Sequence, residues 1–157
     1  MTEKSRDELI EALSKVVDLL SKEEKEIIFN KLAKENSVPL SIFKSEVSGL
    51  GAIVLYLKDV DKKNPKEIAE LLNRKVPTIY STYNKVKNKK IKLDLKSKID
   101  VPLSVFSDRK FSVLESLVFY LKDQRHLSLV EISKLIGKSQ STVKTVYWRY
   151  NKKCQKE

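Results

Sequence analysis

The sequence predicts an all-α protein, a helical hairpin followed by two copies of one trihelical module, on three observations. Its 157 residues include only 3 Gly and 4 Pro, which leaves few loops. Apolar side chains recur at helical spacing in each long segment. The chain also repeats itself, and a repeat governs the reading of everything inside it. VPLSIF at 38–43 returns as VPLSVF at 101–106, an offset of 63. After one inserted residue the offset becomes 64, and LGAIVLYLKD (50–59) lies over LESLVFYLKD (114–123). The match continues as PKEIAELLNRKVPTIYSTYNKVKNKK (65–90) over LVEISKLIGKSQSTVKTVYWRYNKKC (129–154). Two copies are too few for a solenoid, so each is a small module or half of one shared core.

The first segment, 1–37, reads as two amphipathic helices over about 6–20 and 22–35. Leu9, Leu13, Val16, Val17 and Leu20 form one apolar stripe, and Ile27, Ile28 and Leu32 the other. A hairpin of this size cannot bury such stripes alone. It is expected to pack on the first repeat or to form a homodimer.

The first module is assigned to 38–90 and the second to 101–157, joined by a basic linker over 91–100. VPLSIF and VPLSVF are expected to pack under the first helix of their own module through Phe43 and Phe106. In that helix Leu50, Ile53, Val54 and Leu57 share a face, as do Leu114, Leu117, Val118 and Leu121. A short second helix follows. Asn64, Pro65 and Glu67 supply a cap, a first-turn proline and a third-position acid, and Ser128 with Glu131 forms a capping box. Its core is Ile68, Leu71 and Leu72, or Ile132, Leu135 and Ile136.

Asn73 and Gly137 then occupy one equivalent position. These residue types enter the left-handed conformation most readily, which predicts a tight turn. The third helix begins near Val76-Pro77-Thr78 and Gln140-Ser141-Thr142, with Ser139 as N-cap in the second copy. Its buried stripe is Ile79, Tyr83 and Val86, or Val143, Tyr147 and Tyr150. The linker KNKKIKLDLKSKID alternates at Ile91, Leu93 and Leu95, which fits a short extended piece, though a solvated linker is the commoner outcome.

Charge follows the same division. The chain has 32 Lys plus Arg against 21 Asp plus Glu, yet residues 1–37 hold 7 basic and 9 acidic side chains. The excess therefore belongs to the repeats. Arg74 to Lys98 contains nine basic residues and one acid, and Lys134 to Lys156 seven basic residues and no acid. Two such blocks point to anionic partners.

A short helix, a tight turn and a longer helix with a basic end form a helix-turn-helix. EIAELLNRKVPTIYSTYNKVKNK and EISKLIGKSQSTVKTVYWRYNKK resemble the DNA-binding domains of sigma factor region 4 and of response regulators, over about 40 residues in each copy. The second copy, with Gly137, Ser139, Thr142, Val143 and Lys144, matches the pattern more closely. The first departs from it with Lys75 at the cap, Pro77, and Tyr80 in place of a basic residue. The resemblance implies that each third helix enters a major groove. Candidate DNA-binding residues are then Lys138, Gln140, Ser141, Lys144, Thr145, Trp148, Arg149 and Lys152 in the second copy. Gln140 and Lys144 carry donors suited to base edges, Ser141, Thr145, Arg149 and Lys152 suit phosphates, and Trp148 suits a sugar or a thymine methyl. In the first copy they are Lys75, Tyr80, Ser81, Asn84, Lys85 and Lys87, in a stripe with Val76, Pro77 and Asn88. Lys85, Lys87, Lys89 and Lys90 read as backbone clamps. Tyr80 and Trp148 have a second reading, as aromatics buried between the copies or against the N-terminal helices.

The expectation is a non-enzymatic protein that binds double-stranded DNA, as a transcriptional regulator or a chromosome-associated architectural protein. The alternative is an adaptor with one module on a protein such as RNA polymerase. RNA is a lesser candidate, since no aromatic-studded sheet motif is present. No catalytic or phosphate-loop motif occurs, Cys154 reads as a surface thiol, and His126 lacks neighbours at metal-ligand spacing, so neither metal nor cofactor is expected. A mean hydropathy of -0.37, the absence of an apolar run near the ~18 residues of a membrane span and an opening MTEKSRDELIEAL unlike a signal peptide predict a cytoplasmic protein, and the DNA-binding expectation makes it nucleoid-associated.

Overall fold

The structure, a computed structural model, describes residues 3–155. It is mostly helical, with one two-stranded sheet, which makes the class all-α. The chain falls into two compact units, Met1–Glu35 and Asn36–Glu157.

The first unit contains α1 (Glu3–Asp18) and α2 (Lys22–Glu35). Helix α1 starts and stops earlier than the periodicity suggests, because Leu19 and Leu20 are spent on the connection. Ser21 and Glu24 exchange bonds across the first turn of α2: the Glu24 amide donates to Ser21 Oγ at 3.2 Å and the Ser21 amide to Glu24 Oε2 at 2.8 Å. This reciprocal cap closes the hairpin. The stripe residues Leu9, Leu13, Val16, Val17, Ile27, Ile28 and Leu32 are all exposed.

The second unit contains both repeats. The first copy forms α3 (Gly49–Leu55), α4 (Pro65–Leu71) and α5 (Val76–Val86), and the second α6 (Val113–Phe119), α7 (Leu129–Ile136) and α8 (Gln140–Cys154). Helices α3 and α6 each run on into a π-helical turn, Tyr56–Val60 and Tyr120–Gln124. The expected stripes of α3 and α6 face inward: Ile53, Val54, Leu57, Leu117, Val118 and Leu121 are fully buried, with Leu50 and Leu114 half-buried. Val146, absent from the expected stripe of α8, is buried as well, since it falls between Val143 and Tyr150 on the inner face.

The two VPLS segments do more than pack under their own helices. Strand β1 (Ser37–Pro39) pairs antiparallel with β2 (Asp100–Pro102), Val38 opposite Val101. The Phe43 and Phe106 rings then lie 5.8 Å apart. In both contacts a residue meets its own counterpart in the repeat. A Cβ built on Gly49 would approach Val113 Cγ1 to 2.8 Å, again between counterparts. The buried side chains of both copies consequently form a single hydrophobic cluster.

The segment 91–100 is not a free tether. Leu93 and Ile99 pack on the cluster, the Leu40 amide donates to Ile99 O at 2.9 Å, and the Ser41 hydroxyl donates to Asp94 O. Of the three alternating positions, Ile91 and Leu93 are half-buried and Leu95 is exposed. Residues 36 and 37 belong with the repeats rather than with the hairpin: the Leu103 amide donates to Asn36 O at 2.8 Å, and Ser37 pairs with Pro102.

Candidate nucleic-acid interface

The candidate surface is built by one local device used twice. Asn64 accepts from the Lys66 and Glu67 amides at 3.0 Å while Glu67 accepts from the Asn64 amide at 2.7 Å, which starts α4. Ser128 and Glu131 start α7 in the same way. The Ser128 hydroxyl and amide hold the Glu131 carboxyl below its ordinary range. Both short helices end on a left-handed residue, Asn73 at φ 50° and Gly137 at φ 63°. An earlier pair of left-handed residues, Lys62 at φ 58° and His126 at φ 56°, turns the chain between the π-helical turn and the short helix. His126 thus has a backbone role, and among the described residues no group of His, Cys, Asp and Glu could hold a metal ion.

The turns direct α5 and α8 back across the first helices. Ser139 caps α8, accepting from the Thr142 amide at 3.1 Å, whereas Lys75 at the same place in α5 gives no side-chain cap. Tyr83 donates to Asp59 at 2.9 Å and Tyr147 to Asp123 at 3.3 Å, pinning each long helix to the end of the helix beneath it. Hydrogen bonding to Asp59, with burial and the carboxylate charge behind it, raises the Tyr83 pKa. Tyr150 is stacked between Phe111 and Phe119, with ring centroids 4.0 and 4.1 Å away, and burial raises its pKa.

With the inner faces fixed, the outer faces follow. On α8, Gln140, Ser141, Lys144, Thr145, Trp148, Arg149 and Lys152 are exposed and share one side, opposite Val143, Val146 and Tyr150. Lys138 in the turn is half-buried. Trp148 is 58% exposed with Lys152 Nζ 4.6 Å over its ring, a cation-π pair held on the solvent side. Tyr80 on α5 is 52% exposed, so the reading that buries either aromatic between the two copies is corrected. The Thr145 hydroxyl donates to Ser141 O at 2.9 Å, which leaves only its lone pairs for a ligand.

On α5, Pro77, Tyr80, Ser81, Asn84 and Lys85 are exposed, while Val76 is half-buried against the core. Helix α5 stops at Val86, so Lys87, Asn88, Lys89 and Lys90 stand beyond it in a turn. The first copy presents an uncharged aromatic N-terminal half and a cationic exit. The second presents polar and cationic groups along its whole length. Lys156, at the end of its basic block, lies outside the described residues.

Comparison with models of known protein families, with curated proteins and with solved structures gives no match. The residues that sequence reasoning missed lie elsewhere: Arg74, Arg109, Lys110 and Lys153 gather around a cleft between the turn after α4 and the start of α6. The sequence signals for it are the basic blocks that hold Arg74 and Lys153 and the inserted residue that changes the repeat offset. Among the described residues no helix is long and apolar enough to cross a membrane.

Proposed function

We propose that the protein binds double-stranded DNA through the outer faces of α8 and α5, with α8 reading base edges and the Lys-rich exit of α5 gripping the backbone. The observation that carries this reading is the outer face of α8. Seven polar, cationic or aromatic side chains line one side of it without an acid among them. Such a helix, set behind a short helix and a left-handed turn, suits a major groove. Phosphate neutralisation supplies much of the affinity in such complexes. Anisotropy of a labelled duplex titrated with the full chain at several salt concentrations tests this. A linear fall of log affinity with log salt, at about -0.9 per phosphate contacted, is expected. Affinity that ignores salt refutes the reading.

The face of α5 favours a second reading. Its exposed Tyr80 and Pro77 lack charge near the N-terminus, which suits a protein partner such as RNA polymerase, with α8 alone on DNA. Nucleoid association and a regulatory or architectural role rest on the same reading.

The hairpin supports a homodimer. Its exposed apolar stripes lie on both helices, its charges are of mixed sign, and two such hairpins can close a four-helix bundle. Sedimentation of the full chain against a Leu13→Glu variant tests it: the variant is expected to sediment as a monomer.

A further inference from the structure

An open cleft of about 610 Å³ lies between the two copies, and cationic groups from both converge on it. Arg74 enters from the turn after α4 of the first copy, and Arg109 and Lys110 from the loop before α6 of the second. Arg74 Nε is buried and has no hydrogen-bond partner among the described residues. Burial, and then the charge of Arg109, disfavour the Arg74 cation, while Asp108 opposes them. The Asp108 carboxylate also accepts from the Lys110 amide at 2.9 Å, which folds the loop and presents Arg109 and Lys110 side by side. Lys153 on the wall is already committed: its Nζ lies 2.7 Å from Glu115 and 3.3 Å from Lys110 O.

The arrangement is one-sided. Between Phe43 and Ser48 the first copy has four residues, Lys44-Ser45-Glu46-Val47. Between Phe106 and Ser112 the second has five, Ser107-Asp108-Arg109-Lys110-Phe111. The longer loop carries the two cations, and it faces an arginine whose counterpart in the repeat is Lys138. Two arginines that line one cleft and repel each other, one of them with an unpartnered Nε–H, are costly unless an acceptor with several charged oxygens joins them. A phosphate group answers that need, since its oxygens can engage both planar forks at once.

We infer that this cleft binds a phosphate group, with Arg74 and Arg109 as the donors and Lys110 adding positive charge. None of the outward-facing residues of α5 and α8 takes part, so the site stands independently of the DNA reading. The phosphate comes from a free phosphorylated small molecule or from a nucleic-acid backbone.

The test titrates inorganic phosphate into the full chain by calorimetry, in a phosphate-free buffer with ionic strength held by chloride. The wild type, Arg109→Gln and Lys66→Gln are compared, Lys66 being an exposed lysine outside the cleft and outside the faces of α5 and α8. Arg109 is exposed, so its replacement keeps the fold, which a thermal melt checks. Saturable binding is expected in the wild type and in Lys66→Gln, and binding at least tenfold weaker in Arg109→Gln. Phosphate that binds no better than chloride, or binds Arg109→Gln as well as the wild type, overturns the assignment. Once phosphate binding is seen, duplex titration of Arg109→Gln identifies the source. A salt slope reduced by about one unit assigns it to the backbone, and an unchanged slope assigns it to a free phosphorylated ligand. A chain that binds phosphate but no duplex keeps this site and removes the DNA reading.

Discussion

Val38 lies opposite Val101 in an antiparallel ladder, both fully buried, and each is the other's counterpart in the repeat. Neither copy owns its core, since the strand that closes one is supplied by the other. A fragment ending at residue 90, or one starting at residue 101, is therefore expected to show no cooperative thermal transition, whereas residues 36–157 should melt cooperatively. Circular dichroism of the three pieces checks this. In the full chain Val101→Ala should cost about 1–3 kcal/mol.

The turn before α8 allows a separate test of backbone conformation. A Cβ on Gly137 would meet Lys44 Cγ at 3.6 Å, an ordinary contact, so space is available and the cost lies in the φ of 63°. Gly137→Ala should lose about 1–2 kcal/mol. Gly137→Asn should lose clearly less, because Asn tolerates this region and Asn73 already holds φ 50° at the matching place. Urea unfolding of the two variants checks the order.

Glu115 gives the pH dependence its sign. Burial pushes its carboxyl up, but Lys153 and the Ser112 amide and hydroxyl outweigh that and hold it below the ordinary carboxylate range. A folded pKa below the unfolded value, ~4.3 for Glu, means stabilisation that is complete above that value and lost as pH falls through the depressed one. Glu115→Gln should cost about 1.5–3 kcal/mol at neutral pH. The gap to the wild type should narrow as pH falls below about 4.3, the unfolded value, as read from denaturant midpoints at each pH.

The unlike outer faces of α5 and α8 predict unlike consequences of charge reversal. Lys144→Glu with Arg149→Glu should weaken duplex binding by at least tenfold, and should flatten discrimination among sequences selected from a random duplex pool. Lys85→Glu with Lys87→Glu should weaken binding evenly across sequences, as phosphate contacts do. If the second pair has no effect on duplex binding, α5 serves a protein partner instead.

How much was legible beforehand varied with how local the cause was. The caps at Asn64 and Ser128, the left-handed Asn73 and Gly137 and the inner stripes of α3 and α6 are set by residues within a turn of one another. Spacing alone predicts them. The pairing of Val38 with Val101 joins residues 63 apart, and no periodicity reports which of two similar segments a strand will choose. The arginine cleft was hidden for the same reason. Arg74 and Arg109 look like unremarkable surface cations until the turn of one copy meets the loop of the other. The docking of the linker is not evident from its alternating Ile91 and Leu93, which lysines outnumber, although a few half-buried side chains and two backbone acceptors suffice to hold it.

Contacts between like elements across a common axis are what an isologous assembly of two identical chains uses. In such an assembly every substitution appears twice, and a gain on one side is tied to its effect on the other. Here the two halves are encoded separately within one polypeptide, so that constraint is lifted. The loop of Ser107 to Phe111 could lengthen by a residue and take on Arg109 and Lys110 while Lys44 to Val47 stayed as it was. Covalent fusion thus gives the fold a polarity that no symmetric pair of chains could acquire.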